Sequence, residues 1–142
     1  MGQKANVSSA FARVPLVVRT IPMVAVMAVI FSLSHQPAER LDIPDIPFVD
    51  KVGHFLLYTL LALAVLLVPS RDLRLKQPKA VAGLTFLLCL LYGIGDEFHQ
   101  SFIPGRHAGS ADVVADACGA AFVCFFWLLT RAASQKKYSA DE

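Results

Sequence analysis

The sequence predicts an all-α integral membrane bundle of four transmembrane helices with both termini in the cytoplasm. Three observations carry that expectation. Four long apolar segments recur along 142 residues. The composition is 56% hydrophobic with a mean hydropathy of +0.56, too apolar for an ordinary soluble domain. Lys and Arg collect in alternate connections between the apolar segments, which is the bias that orients membrane proteins. The length suits one domain, read as a four-helix membrane domain over residues 13–131 between cytoplasmic tails at 1–12 and 132–142.

Met1 to Ala12 is polar to mixed and reads as a flexible tail. Pro15 to Leu33 is the first apolar segment; Arg19, one turn in, can snorkel to the headgroups. Val52 to Val68 is the second, Ala80 to Ile94 the third and Val113 to Thr130 the fourth. Each approaches the roughly 20 residues that a helix needs to cross about 30 Å of hydrocarbon. The third is short as an apolar run, but it can continue helically through Asp96 to Phe102 until Pro104-Gly105 stops it. A soluble four-helix bundle would show a polar stripe on each helix, and Leu60 to Val68 and Val81 to Leu91 have almost none. A secretory leader is a second alternative, with Ser32-Leu33-Ser34 loosely imitating a cleavage site. Cleavage there would leave three helices with an awkward topology.

The N-terminal flank carries Lys4, Arg13 and Arg19; Pro69 to Lys79 carries Arg71, Arg74, Lys76 and Lys79; the C-terminal tail carries Arg131, Lys136 and Lys137. The first connection has Arg40 and Lys51 against Glu39, Asp42, Asp45 and Asp50. The third has Arg106 against Asp96, Glu97 and Asp112. These counts place the first and third connections outside. The net charge of +2, in short runs, carries no nucleic-acid signal. Cys89, Cys118 and Cys124 lie in apolar segments without metal-type spacing and read as buried small hydrophobes.

On this topology the ionisable residues converge at one set of helix ends. Lys51, His54 and Tyr58 fall at i, i+3 and i+7 of the second helix and share a face. Asp96, Glu97 and Gln100 lie within a turn of one another at the end of the third. Asp112 and Asp116 are i, i+4 at the start of the fourth, the second about 6 Å deeper. Charge beside hydrocarbon is expensive and tends to mark function. Asp50 and Asp112 have a plainer reading as helix N-caps, compatible with a site role. Asp96 and Glu97 have no such reading, because a helix C-terminus disfavours anions, so they call for a cationic partner: Lys51, Arg106, a protonated His, a metal or a ligand. His54 reads equally as an acid, base or ligand and as a hydrogen-bonded interior His. His99 and His107 read as interfacial. Pro104-Gly105-Arg106 reads as a turn returning a guanidinium to the helix ends, for an anionic ligand or for a salt bridge to Asp96 or Glu97.

These residues resemble the VanZ-like family: Asp50-Lys51-x-x-His54-Phe55-x-x-Tyr58, then Asp96-Glu97-x-His99-Gln100-x-Phe102-x-Pro104-Gly105-Arg106, then Asp112-Val113-x-Ala115-Asp116-x-x-Gly119, with Ser34-x-Gln36-Pro37 after the first helix. The resemblance covers roughly Phe31 to Phe122. It implies a small bacterial multi-helix protein of the cytoplasmic membrane, acting near the cell envelope and associated with resistance to the glycopeptide teicoplanin. It supplies no settled activity or cofactor. Some members carry Asn where this chain has Asp116.

Two functions follow as expectations. In the first, an outward pocket binds an anionic lipid-linked cell-wall precursor or a glycopeptide, with Arg106 and Lys51 holding the anion. Tyr58, Gln100, Asp112 and Asp116 join them in lining the pocket. In the second, the chain is a membrane-embedded enzyme. His54 with Asp96, Glu97 or Asp116 then does acid/base work, or these groups hold a metal against a lipid headgroup. There is no G-x-S-x-G and no H-E-x-x-H. The Asp96-Glu97 pair resembles the paired Glu of intramembrane CAAX-type proteases, but the other motifs of that family are not at its spacing. A transporter is a third reading, though no inverted repeat is visible. Surrounding membrane lipids are the only other expected partners.

Overall fold

The computed structural model describes residues 14–40, 48–106 and 108–138. The expected tail at 1–12, the connection residues Asp42 and Asp45, His107, and the end of the C-terminal tail at 139–142 lie outside the described residues. The described chain is helical and has no strand. It forms α1 (Leu16–Ser34), a 3-10 turn (Ala38–Arg40), α2 (Val49–Leu67), the short α3 (Arg71–Lys76), α4 (Pro78–Gln100) and α5 (Ser110–Tyr138). Helices α1, α2, α4 and α5 are long and apolar enough to cross a membrane.

Local chemistry explains most boundaries. Pro15 precedes α1, and Pro22 lies inside it, where the missing N–H removes one rung of the backbone ladder. Ser70 caps α3 by accepting the Leu73 N–H at 3.2 Å. That short helix divides what the sequence read as a plain connection. Pro78 opens α4, a position where a proline costs no hydrogen bond. Helix α4 does continue past the apolar run, but it stops at Gln100, two residues before the expected limit. Helix α5 runs beyond the expected domain end at 131 to Tyr138.

Helix α5 is the hub. It packs most extensively on α2 and then on α4, while α1 leans mainly on α2 and less on α4. The α2–α5 contact is close because of Gly119: a Cβ there would collide with the Phe55 carbonyl and crowd the Thr59 nitrogen. The core between the helices is small, built around Ile30, Leu61, Ala62, Val65, Cys89 and Val123. Cys89 and Cys124 are buried, as expected of small hydrophobes, whereas Cys118 is exposed on the outside of α5. Its i+4 spacing from Val114 and Phe122, both exposed, puts it on the lipid side of that helix.

Outside, the pattern of a soluble protein is inverted. Leu56, Leu60 and Leu63 of α2, Leu84, Leu87 and Leu91 of α4, and Phe122, Phe125 and Phe126 of α5 are all exposed. Meanwhile Asp96, Glu97, Gln100, Asp112 and Asp116 are buried. Such an outer surface fits hydrocarbon and not water.

Candidate functional site

The buried polar residues gather at one end of the bundle, where α1 and α4 finish and α2 and α5 begin. Each helix delivers its groups through its own periodicity. On α2, Lys51, His54 and Tyr58 descend one face, from half-exposed to fully buried. Asp112 and Asp116 descend a stripe of α5 in the same way, and Asp116 is fully buried. On α4, Asp96 and Gln100 are i, i+4 on one face, with Glu97 beside them.

His54 joins the first half of the site. Its Nδ1 lies 2.9 Å from Asp116 Oδ1. A carboxylate only accepts, so Nδ1 carries the proton and Nε2 is left facing inward. Nε2 is 3.9 Å from Glu97 Oε1 and 4.0 Å from Asp112 Oδ1, too far for a hydrogen bond to either. Asp112 Oδ1 is ion-paired with Lys51 Nζ at 2.6 Å, and Lys51 also holds Asp50 at 2.7 Å. The cap reading survives in part. Asp112 lies in the first turn of α5 as well as in this pair, while Asp50 lies within the first turn of α2 and Phe48 occupies the cap position. Glu97 Oε2 accepts the Gly109 N–H at 2.9 Å, just ahead of α5. The helix end that disfavours an anion is thus offset by a donor from the next helix.

The second half is a relay of neutral donors. Asp96 Oδ2 accepts Ser34 Oγ–H at 2.8 Å and the Gln100 amide at 3.0 Å. The same amide donates to Ser34 Oγ at 3.1 Å. The Gln100 carbonyl then accepts Arg106 Nε at 3.1 Å and Nη2 at 2.7 Å. Arg106 returns because the chain reverses over Ile103-Pro104-Gly105: Arg106 N–H bonds the Ile103 carbonyl at 3.1 Å, and Gly105 takes φ 73°. Pro then Gly with positive φ is the pattern of a type II turn. The expected salt bridge from Arg106 to Asp96 or Glu97 is therefore replaced by a fork onto Gln100. The cationic partner expected for Asp96 is likewise replaced by Ser34 and Gln100.

The structure thus brings together His54, Glu97, Asp112, Asp116 and Lys51, with Asp96, Gln100 and Arg106 alongside. Tyr58 sits beneath them, fully buried, its hydroxyl without a hydrogen-bond partner among the described residues. His99 stacks with His35 and Phe31 at the rim, with ring nitrogens 3.3 Å apart between the two His. Three contributors carried no role in the sequence reading. Ser34 was visible only as part of a motif. Tyr92 ties α4 to α1 by donating to the Met27 carbonyl at 2.7 Å. Gly93 makes room for Asp116, since a Cβ there would stand 2.7 Å from Asp116 Oδ2. A glycine in an apolar helix gives no hint of which side chain its vacancy receives.

Two features set the chemistry. Four buried carboxylates face Lys51 and His54, so the interior is short of positive charge. Glu97 Oε1 and Asp116 Oδ2 are buried without a hydrogen bond. An apolar groove of about 550 Å³, lined by Met27, Leu84, Leu87, Leu88, Leu91 and Tyr92, lies between α1 and α4; Tyr92 is one turn below Asp96.

A family model described as VanZ/LLP1 matches residues 3–131. Comparison with curated proteins finds no match, and comparison with solved structures finds none.

Proposed function

This chain belongs to the VanZ/LLP1 family of multi-pass membrane proteins, and on that footing we propose that it is a membrane-embedded enzyme acting on an anionic, lipid-linked component of the bacterial cell envelope. The buried His54–Asp116 pair carries the proposal. An imidazole fixed through Nδ1 by a carboxylate, with Nε2 turned toward further carboxylates, is an arrangement for proton transfer or for metal-assisted activation of water. The excess of buried carboxylate supports this reading over a pocket that simply holds an anion. Arg106, half-exposed above the cluster, meets the anionic headgroup, and the groove below Asp96 takes part of the lipid chain. The Lys/Arg bias supports an orientation in which the polar end faces outward, where envelope precursors and glycopeptides are found.

The second reading, a binding protein for such a lipid or for a glycopeptide, is favoured by one observation: Arg106 Nε and Nη2 are preorganised on Gln100. A teicoplanin susceptibility assay in a sensitive host expressing the chain tests both readings. At equal membrane levels, Glu97→Gln and Arg106→Ala should abolish protection. Arg106→Lys should restore only part of it, because an ammonium cannot reproduce the fork. His54→Ala should abolish protection while teicoplanin or lipid binding persists if the site is catalytic; loss graded with affinity supports binding alone. Wild-type behaviour of both Glu97→Gln and Arg106→Ala would refute a functional role for the cluster.

A further inference from the structure

We propose that His54, Glu97 and Asp112 bind one divalent transition-metal ion of the zinc type, with Asp116 holding His54 from its other ring nitrogen. The inference rests on the reading of this cluster as a reactive centre and names what fills it. His54 Nε2, Glu97 Oε1 and Asp112 Oδ1 converge at separations of 3.9 and 4.0 Å from the nitrogen. Those gaps are too long for hydrogen bonds. One cation about 2.1 Å from each donor spans up to about 4.2 Å, so it bridges both. His54, Glu97 and Asp116 each place a donor atom within 4.8 Å of the others, which keeps Asp116 close to the same centre.

Burial makes the case independently of spacing. Glu97 is 6% exposed, and its Oε1 accepts no hydrogen bond, although Oε2 is satisfied by Gly109. An ionised oxygen left bare in a low-dielectric interior is costly, and a cation beside it removes that cost. Lys51 covers Asp112 on the outer side only. The Asp116–His54 contact has the form seen around protein-bound metals, where a carboxylate takes the far ring N–H and thereby directs the other nitrogen at the ion. One imidazole with two carboxylates suits a borderline ion such as Zn²⁺ rather than a soft one that selects thiolates. The remaining coordination positions are open to water or to an oxygen of the headgroup.

The test uses the full chain in lipid nanodiscs, stripped with EDTA and titrated with Co²⁺ and then Zn²⁺, with visible absorption and calorimetry as readouts. One equivalent of Co²⁺ should bind with a tetrahedral-type spectrum and be displaced by Zn²⁺. Glu97→Gln and Asp112→Asn, both nearly isosteric, should weaken binding by about 100-fold or more, and Asp116→Asn by about 10–100-fold. Asp96→Asn should leave it unchanged, since Ser34 and Gln100 already satisfy that carboxylate. A His35→Ala/His99→Ala variant should keep the one equivalent, which separates this site from the imidazole pair at the rim. Three results would each overturn the inference: no Co²⁺ bound by wild type, undiminished binding in Glu97→Gln, or loss of binding in the rim variant. Metal binding with wild-type teicoplanin protection in Glu97→Gln would keep the metal site and remove the enzymatic reading. No metal, with protection lost in His54→Ala and Glu97→Gln, would do the reverse and leave metal-free acid/base chemistry.

Discussion

Asp116 is a fully buried carboxylate whose two oxygens meet different surroundings: Oδ1 has the His54 ring, and Oδ2 faces the space above Gly93. That space exists only because residue 93 has no side chain. Gly93→Ala would put a methyl 2.7 Å from Oδ2 and 3.3 Å from the Tyr58 ring. Neither neighbour has somewhere to go, so overpacking should cost about 1–3 kcal/mol, read as a lower unfolding midpoint in detergent. Teicoplanin protection should fall as well, because Asp116 cannot move without turning His54. Unchanged stability and protection would show that Asp116 has room to relax. None of this was legible in the sequence. The pattern of Lys51, His54 and Tyr58 identified the face of α2, and the pair Asp112, Asp116 that of α5. Neither could say that Arg106 chooses Gln100 over a carboxylate, because that depends on where the turn at Gly105 delivers the guanidinium.

At the scale of elements, the three helices α2, α4 and α5 form the rigid part, and α1 is attached more lightly. Only a small share of α1 is buried, and it has little contact with α4 beyond three polar ties: Ser34 to Asp96, the His35–His99 pair, and Tyr92 to the Met27 carbonyl. The α2–α5 seam depends on Gly119, where a side chain would drive into the Phe55 backbone. Lipid tails are as apolar as leucine, so membrane helices associate through close packing, and small residues at the contact are what permit it. Gly119→Leu should therefore separate α2 from α5, pulling His54 away from Asp116. The expected outcome is loss of the folded monomer by size exclusion together with loss of protection, and preserved folding would disprove the seam's importance. The sequence displayed four apolar segments plainly because each is longer than most soluble helices tolerate without a polar face. It did not display α3, whose six residues are too few for periodicity to register.

Across the whole molecule, charge is divided between the two ends. The carboxylates lie at one end, with Lys51 and Arg106 among them. At the other, Arg74 donates to the Leu66 carbonyl, and burial followed by the nearby Arg131, Arg19 and Arg71 lowers its guanidinium from the ordinary value. Arg131 stacks over Trp127 in the same region. A basic end and an acidic end fit the topology with both termini and the α3 connection in the cytoplasm. In a cysteine-free background, a cysteine at position 74 should resist membrane-impermeant maleimide in intact cells, and one at position 39 should react. The opposite labelling would invert the orientation and move the acidic site to the cytoplasmic side.

The sequence by itself determined that the chain is helical and membrane-spanning, and which helix ends carry the charge. Hydrophobicity and the roughly 20-residue span are properties of contiguous segments, readable without knowing any contact. It also picked out the residue types of the site, since an ionisable group in such a chain is conspicuous. Tertiary structure alone decided the pairing. It set His54 on Asp116, Lys51 on Asp112, Glu97 on the Gly109 N–H, and Ser34 with Gln100 on Asp96. Those choices depend on helix rotation and on the close approaches that Gly93 and Gly119 allow. A shift of about one residue in rotation turns a side chain through about 100°, enough to exchange one carboxylate partner for another without changing any hydrophobic pattern along the chain.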